Sequence, residues 1–188
     1  MRLGRNLLLS GLLGLAGAGV SAAGEAPLLE VGGGLTAVLA DDGSGETTAF
    51  EAVAGRIGLN LNDSLAVEGE LGFFPSTDIR IVGSGDWHKL QGLFGLKAGK
   101  RLERVGVFGK LRLGFVESRA TLVTLPPVDV SETDFALDLG VVVEAYFLPL
   151  VTLRVDVADL IIPSEERNSV PFDGHNLQLG VGIALGLW

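Results

Sequence analysis

Period two dominates the chain from Leu28 onward. In "LLEVGGGLTAVLA" the residues Leu29, Val31, Gly33, Leu35, Ala37 and Leu39 share one face. In "AVAGRIGLNL", Val53, Gly55, Ile57, Leu59 and Leu61 stand opposite Ala52, Ala54, Arg56 and Asn60. "LAVEGELGFF" sets Leu65, Val67, Leu71 and Phe73 against Ala66, Glu68, Glu70 and Gly72. "LQGLFGLKAG" and "VGVFGKLRLGF" repeat the pattern, with Lys97, Lys110 and Arg112 on the polar side. "FALDLGVVVEAY" places Asp138 and Glu144 there, "VTLRVDVAD" places Arg154 and Asp156, and "LQLGVGIALGLW" closes the series. Alternation kept through segments of about 8–12 residues is the signature of half-buried strands, and none of the segments has a helical period.

The joints alternate too. Asn62–Ser64, Gly99–Arg104 and Phe147–Leu150 are short, whereas Ala40–Thr48, Pro75–Lys89, Glu117–Thr133 and Ala158–Asn176 are long and carry Pro, Gly, Ser and charge. Strict interleaving of three short turns with four long loops puts every long loop at one end of an up-and-down sheet. In "TLVTLPPVDV", Leu122, Val123 and Leu125 are apolar for a loop, which predicts a hairpin extended beyond the main sheet with Pro126 and Pro127 at its tip.

A soluble barrel with an apolar interior and a lipid-embedded barrel with an apolar exterior share this alternation. The polar face separates them. It consists of Gly, Ala and isolated charges, unlike a water-facing surface rich in Lys, Glu and Thr. Small residues beside long ones suit the narrow inside of an eight-stranded barrel. The charges on that face are also balanced: Arg56, Lys97, Lys110, Arg112 and Arg154 against Glu68, Glu70, Asp138, Glu144 and Asp156. Unpaired buried charges would each cost several kcal/mol, so a closed lumen demands such balance. The expected fold is therefore all-β, an eight-stranded antiparallel transmembrane barrel spanning residues 23–188.

Composition agrees. With 28 glycines, 47% hydrophobic residues and a mean hydropathy of +0.44, the chain is too apolar for a disordered or an ordinary soluble protein. It has no cysteine, which excludes disulfides and thiolate metal sites. The opening "MRLGRNLLLSGLLGLAGAGVSAAGEAP" reads as a cleaved signal peptide over residues 1–22: Arg2 and Arg5, an apolar core short of a membrane span, then small residues at the cleavage site. Its removal leaves 12 basic against 23 acidic residues, a net −11 that disfavours nucleic acid. Signal and composition together predict export to the bacterial outer membrane.

On these residues the chain resembles the small outer-membrane β-barrel family, typified by the membrane domain of outer membrane protein A and by OmpX-like proteins. The resemblance covers Leu28–Trp188, and "GLKAGKRLERVGVFGKLRLGF" is similar to a hairpin of many members. It implies contact with outer-membrane lipid and lipopolysaccharide, and recognition of a C-terminal strand ending in an aromatic by the barrel-assembly machinery. Leu179, Val181, Ile183, Leu185 and Trp188 are the candidates for that signal. Trp188 is out of phase with the leucines, so either a bulge near Gly186 resets the register or the chain leaves the ladder there.

The ten luminal charges form either an ion path or an electrostatic plug, and the plug is the expectation. Glu68 and Glu70 point the same way and could act as an acid/base pair, but are more simply half of a salt-bridge cluster. Lipid A deacylases and palmitoyltransferases resemble this architecture and use Ser, His and a carboxylate. Here only His88 and His175 are available, with Ser84, Ser164 and Ser169 in loops and no matching motif, so no catalysis is expected. The loop carboxylates Asp41, Asp42, Glu46, Asp129, Glu132, Glu165 and Glu166 match no calcium loop. Lys100, Arg101 and Arg104 form a basic turn suited to anionic lipid headgroups. The expectation is a monomer without cofactor or metal, structural or surface-interacting, with a narrow channel and a lipid-modifying enzyme as alternatives.

Overall fold

In a computed structural model of the chain, residues 26–41, 47–75, 87–122, 128–148, 150–163 and 174–187 are described. They form eight antiparallel strands: β1 (Leu29–Asp41), β2 (Thr47–Asn62), β3 (Leu65–Phe74), β4 (Trp87–Arg101), β5 (Val105–Leu122), β6 (Val128–Leu148), β7 (Val151–Ile162) and β8 (Gly174–Leu187). Each pairs with its sequence neighbour, and β1 pairs with β8 from Leu29↔Leu187 to Leu39↔Leu177, closing the barrel. Closure leaves no edge strand, which is what allows a sheet to stand in lipid. Among the described residues there is no helix.

Side-chain parity follows the alternation. Leu35, Phe94 and Leu139 on the outer wall are 62%, 65% and 55% exposed, while Arg112 and Asp138 inside are 0% exposed. Such an inversion, with leucine outside and arginine inside, suits hydrocarbon around the barrel and not water.

β1 and β3 have the lengths of their alternating segments, whereas the other strands are longer. The eight run from 10 residues in β3 to 21 in β6, whereas crossing a bilayer takes about 9–11. β5 and β6 continue to Leu122 and from Val128, through part of the apolar "TLVTLPPVDV" stretch, and residues 123–127 lie outside the described residues. β7 likewise runs to Ile162, well into the stretch read as a long loop. Beyond the membrane both faces of a hairpin become mixed, so the contrast that marks a strand fades although its hydrogen bonds continue.

Register shifts occur between Asn60 and Asn62 and between Tyr146 and Leu148, both beside short turns. The β1–β8 ladder shows none: it continues unshifted to Leu187, so a bulge near Gly186 is not the answer to the phase of the C-terminus. Trp188 itself lies outside the described residues, as do residues 1–25.

A second correction concerns the inward face. Towards the long-loop end it is not only small and polar: Val38, Ala40, Phe50, Ala52, Phe74, Leu93, Val116, Ala136, Leu160 and Ile162 form one buried apolar cluster, with Lys89, Gln91, Ser118, Asn176 and Gln178 buried beside it.

Candidate functional site

The charged side chains gather below that cluster, towards the short turns. Cross-strand neighbours supply the first contacts: Arg112 is the register partner of Asp138, Arg56 of Glu70, and Arg154 of Glu144. Arg112 grips Asp138 with Nε and Nη2 at 3.2 and 3.1 Å and reaches Glu70 with Nη1 at 3.0 Å. Arg56 donates to Glu70 at 3.0 Å.

The rest run diagonally to a neighbouring strand or reach over to a strand beyond it. Arg154 on β7 holds both oxygens of Glu68 on β3, at 2.5 and 3.1 Å. Lys97 on β4 meets Glu144 on β6 at 2.5 Å and Glu68 at 3.4 Å. Lys110 on β5 meets Asp156 on β7 at 2.7 Å and Asp138 at 3.4 Å.

Traced through these pairs, signs alternate. Arg56, Glu70, Arg112, Asp138, Lys110 and Asp156 form a closed ring, its last contact Arg56–Asp156 at 3.9 Å. Arg154, Glu68, Lys97 and Glu144 form a smaller ring, closed by Arg154–Glu144 at 3.8 Å. Arg154–Asp156 at 3.4 Å joins the two. Every charge thus has opposite charges as its nearest ionic neighbours, which offsets the desolvation each suffers. All ten sequence-predicted luminal charges belong to this network.

Two members escaped sequence reasoning. Arg101 does not lie on the outside with Lys100 and Arg104; it points inward, 3.4 Å from Glu30 and 3.9 Å from Glu144, with its guanidinium 4.4 Å from the Tyr146 ring. β4 extends to Arg101, so the parity that puts Lys97 inside puts Arg101 inside too. Glu30 had the same signal, sitting between outward Leu29 and Val31. Tyr146 donates its hydroxyl to Glu144 at 2.9 Å, and Phe108 lies 4.7 Å beneath the Lys97 ammonium.

Space for long side chains comes from the seam. The inward positions of β8 between Gln178 and Leu187 are Gly180, Gly182, Ala184 and Gly186. A Cβ at Gly180 would lie 2.8 Å from an Asp156 carboxylate oxygen, so Asp156 occupies what any larger residue would take. At the short-turn end, Pro27 fills the corresponding space over Gly186 and its carbonyl accepts from Asn60 at 2.7 Å. Asn60 also donates to Glu30 at 3.0 Å, and the Ala26 amide donates to Asp63 at 3.1 Å, which together floor the lumen.

The other candidates remain dispersed. His88 stands beside Phe73, with ring centroids 6.4 Å apart, and His175 Nδ1 lies 2.6 Å from Asp159 on the outer wall. They belong to β4 and β8, and Ser84, Ser164 and Ser169 lie outside the described residues, as do Asp42, Glu46, Glu165 and Glu166. Asp41 ends β1, while Asp129 and Glu132 are in β6. Among the described residues no three metal-binding side chains converge. In β8, Leu179, Val181, Ile183 and Leu185 line the outer wall at 39–54% exposure.

A closed eight-stranded barrel with an apolar wall and an ionic core defines a small integral outer-membrane protein. The chain belongs to the outer membrane protein beta-barrel domain family, whose model matches residues 8–184; its place is the bacterial outer membrane. No curated protein matches it. Its fold is similar to that of Neisserial surface protein A (TM-score 0.67, 16% identity, 87% of this chain and 99% of that one). It is also similar to Ail, the attachment invasion locus protein of Yersinia pestis, in complex with the heparin analogue sucrose octasulfate (0.60, 14%, 87% and 98%). The N-terminal barrel domain of Pseudomonas aeruginosa OprF is a third likeness (0.52, 11%, 86% and 98%).

Proposed function

We propose that this protein is a non-enzymatic, monomeric outer-membrane barrel with a structural or surface-interacting role, its lumen held shut by the charge network. One observation carries the reading: the luminal charges alternate in sign around closed rings and are almost wholly buried. A conducting pore needs a hydrated or coordinating path along its wall, and charges locked to one another do not offer one. The outer wall contacts lipid and lipopolysaccharide, and β8 carries the recognition signal for the barrel-assembly machinery. Ail was solved with a polyanion; this chain, at a net −11 once residues 1–22 are removed, is poorly suited to one, which favours a cationic or uncharged surface partner.

Single-channel recording in planar bilayers tests the closed lumen. The purified barrel is expected to give no steady conductance steps, and discrete, reproducible steps would replace this reading with the channel.

A further inference from the structure

The charge network is not the only thing that fills the lumen. Between it and the long loops lies the apolar layer, in which Val38, Phe74, Val116 and Leu160 are at most 4% exposed. We infer that this apolar layer, and not the charge network, is the seal that keeps water and protons from crossing the barrel. The inference rests on the closed-lumen reading, in which the charge network bars ions and solutes, and adds that the apolar layer is what bars water and protons.

Within the charged layer there is a cavity of about 10 Å³, lined among others by Glu30, Arg56, Glu68, Glu144, Thr152 and Arg154. A polar cavity of roughly 10–15 Å³ is enough for one water, and one with several donors and acceptors holds it. Carboxylates, ammonium groups and the Tyr146 hydroxyl continue from there in contacts of 3.9 Å or less. Water and a chain of titratable oxygens are what a proton relay is made of. Ionic pairing therefore blocks bulky solutes but is a poor barrier to protons.

The apolar layer has the opposite character. Its side chains carry no donor or acceptor, and small apolar spaces stay dry. Narrow hydrophobic constrictions exclude water without any moving part. Buried polar side chains lie beside it: the Lys89 ammonium rests 5.2 Å over the Phe50 ring at the end nearer the long loops, and across the lumen Gln91 donates to Gln178 at 3.1 Å, each a register partner of a cluster member, Val116 and Val38. Both amides are uncharged and neither titrates near neutral pH, so the pair braces the barrel without extending the relay.

The test is proton leak into lipid vesicles that hold a trapped pH-sensitive dye. The vesicles contain the full barrel, and each variant is first checked for the mobility shift of a folded barrel. Wild type is expected to match protein-free vesicles. Leu93→Ser/Leu160→Ser is expected to raise the leak several-fold, and Leu93→Thr serves if the double variant does not fold. Lys97→Gln, which leaves Glu68 with Arg154 and Glu144 with Tyr146, is expected to stay as tight as wild type. Leak through Lys97→Gln overturns the inference, and so does a folded apolar-layer variant as tight as wild type. Stepwise ion conductance by the wild type would instead overturn the closed-lumen reading beneath it.

Discussion

On β5, Arg112 and Val116 both point into the lumen four residues apart, 0% and 2% exposed. Arg112 is held by two hydrogen bonds to Asp138 and an ion pair to Glu70. Val116 sits in a cluster whose contacts have no direction. The first region depends on every partner being present, because one deletion strands its neighbours' charges in a medium that cannot solvate them. The second is graded, since a smaller side chain costs only its own transfer and the space left behind. The charged layer ties together seven strands, β1 to β7; the apolar layer is tolerant in detail and strict in volume.

Removing one charge is the strongest way to break this comparison. Arg112→Met leaves Asp138 and Glu70 short of a partner and is expected to cost about 3–5 kcal/mol of stability, measured by urea unfolding in lipid vesicles. A loss below about 1 kcal/mol would mean that the ring relaxes and the charged layer is as forgiving as the apolar one. In the apolar layer, Leu160→Ala is expected to cost about 2–4 kcal/mol in the same assay. The wall beyond the membrane offers the control: Arg119 pairs with Glu117 at 2.7 Å but is 59% exposed. Arg119→Ala is expected to change stability by less than about 0.5 kcal/mol, because a solvated ion pair is worth little.

What could be read beforehand follows the same division. In the membrane-spanning part each strand shows lipid one face and the lumen the other, so two-residue alternation located Glu68, Lys97, Asp138 and Arg154 at once. Outside it the contrast weakens. Leu160 and Ile162 fall in a stretch whose composition predicts a loop, yet they complete the apolar layer. Arg101 was assigned to a turn because its strand's end is not marked by hydrophobicity; only its parity with Lys97 reveals its direction. Glu68 and Glu70 read as facing Lys97 or Arg56, and Lys97–Glu68 and Arg56–Glu70 do meet, but the partners two strands away are not legible. Pairs such as Lys97–Glu144 and Lys110–Asp156 come from the tilt and curvature of the closed sheet, which no local pattern encodes.

Every reading of the lumen depends on the outer wall facing lipid, and position 139 tests that most directly. Leu139 lies on the outer wall of β6, next in sequence to the buried Asp138. An arginine on the lipid face near mid-bilayer costs about 2–4 kcal/mol. Folding into lipid vesicles, read by the different gel mobility of boiled and unboiled samples, is expected to fail or fall sharply for Leu139→Arg and to persist for Leu139→Ala. Equal folded fractions for the two variants would contradict the inside-out arrangement on which the account stands.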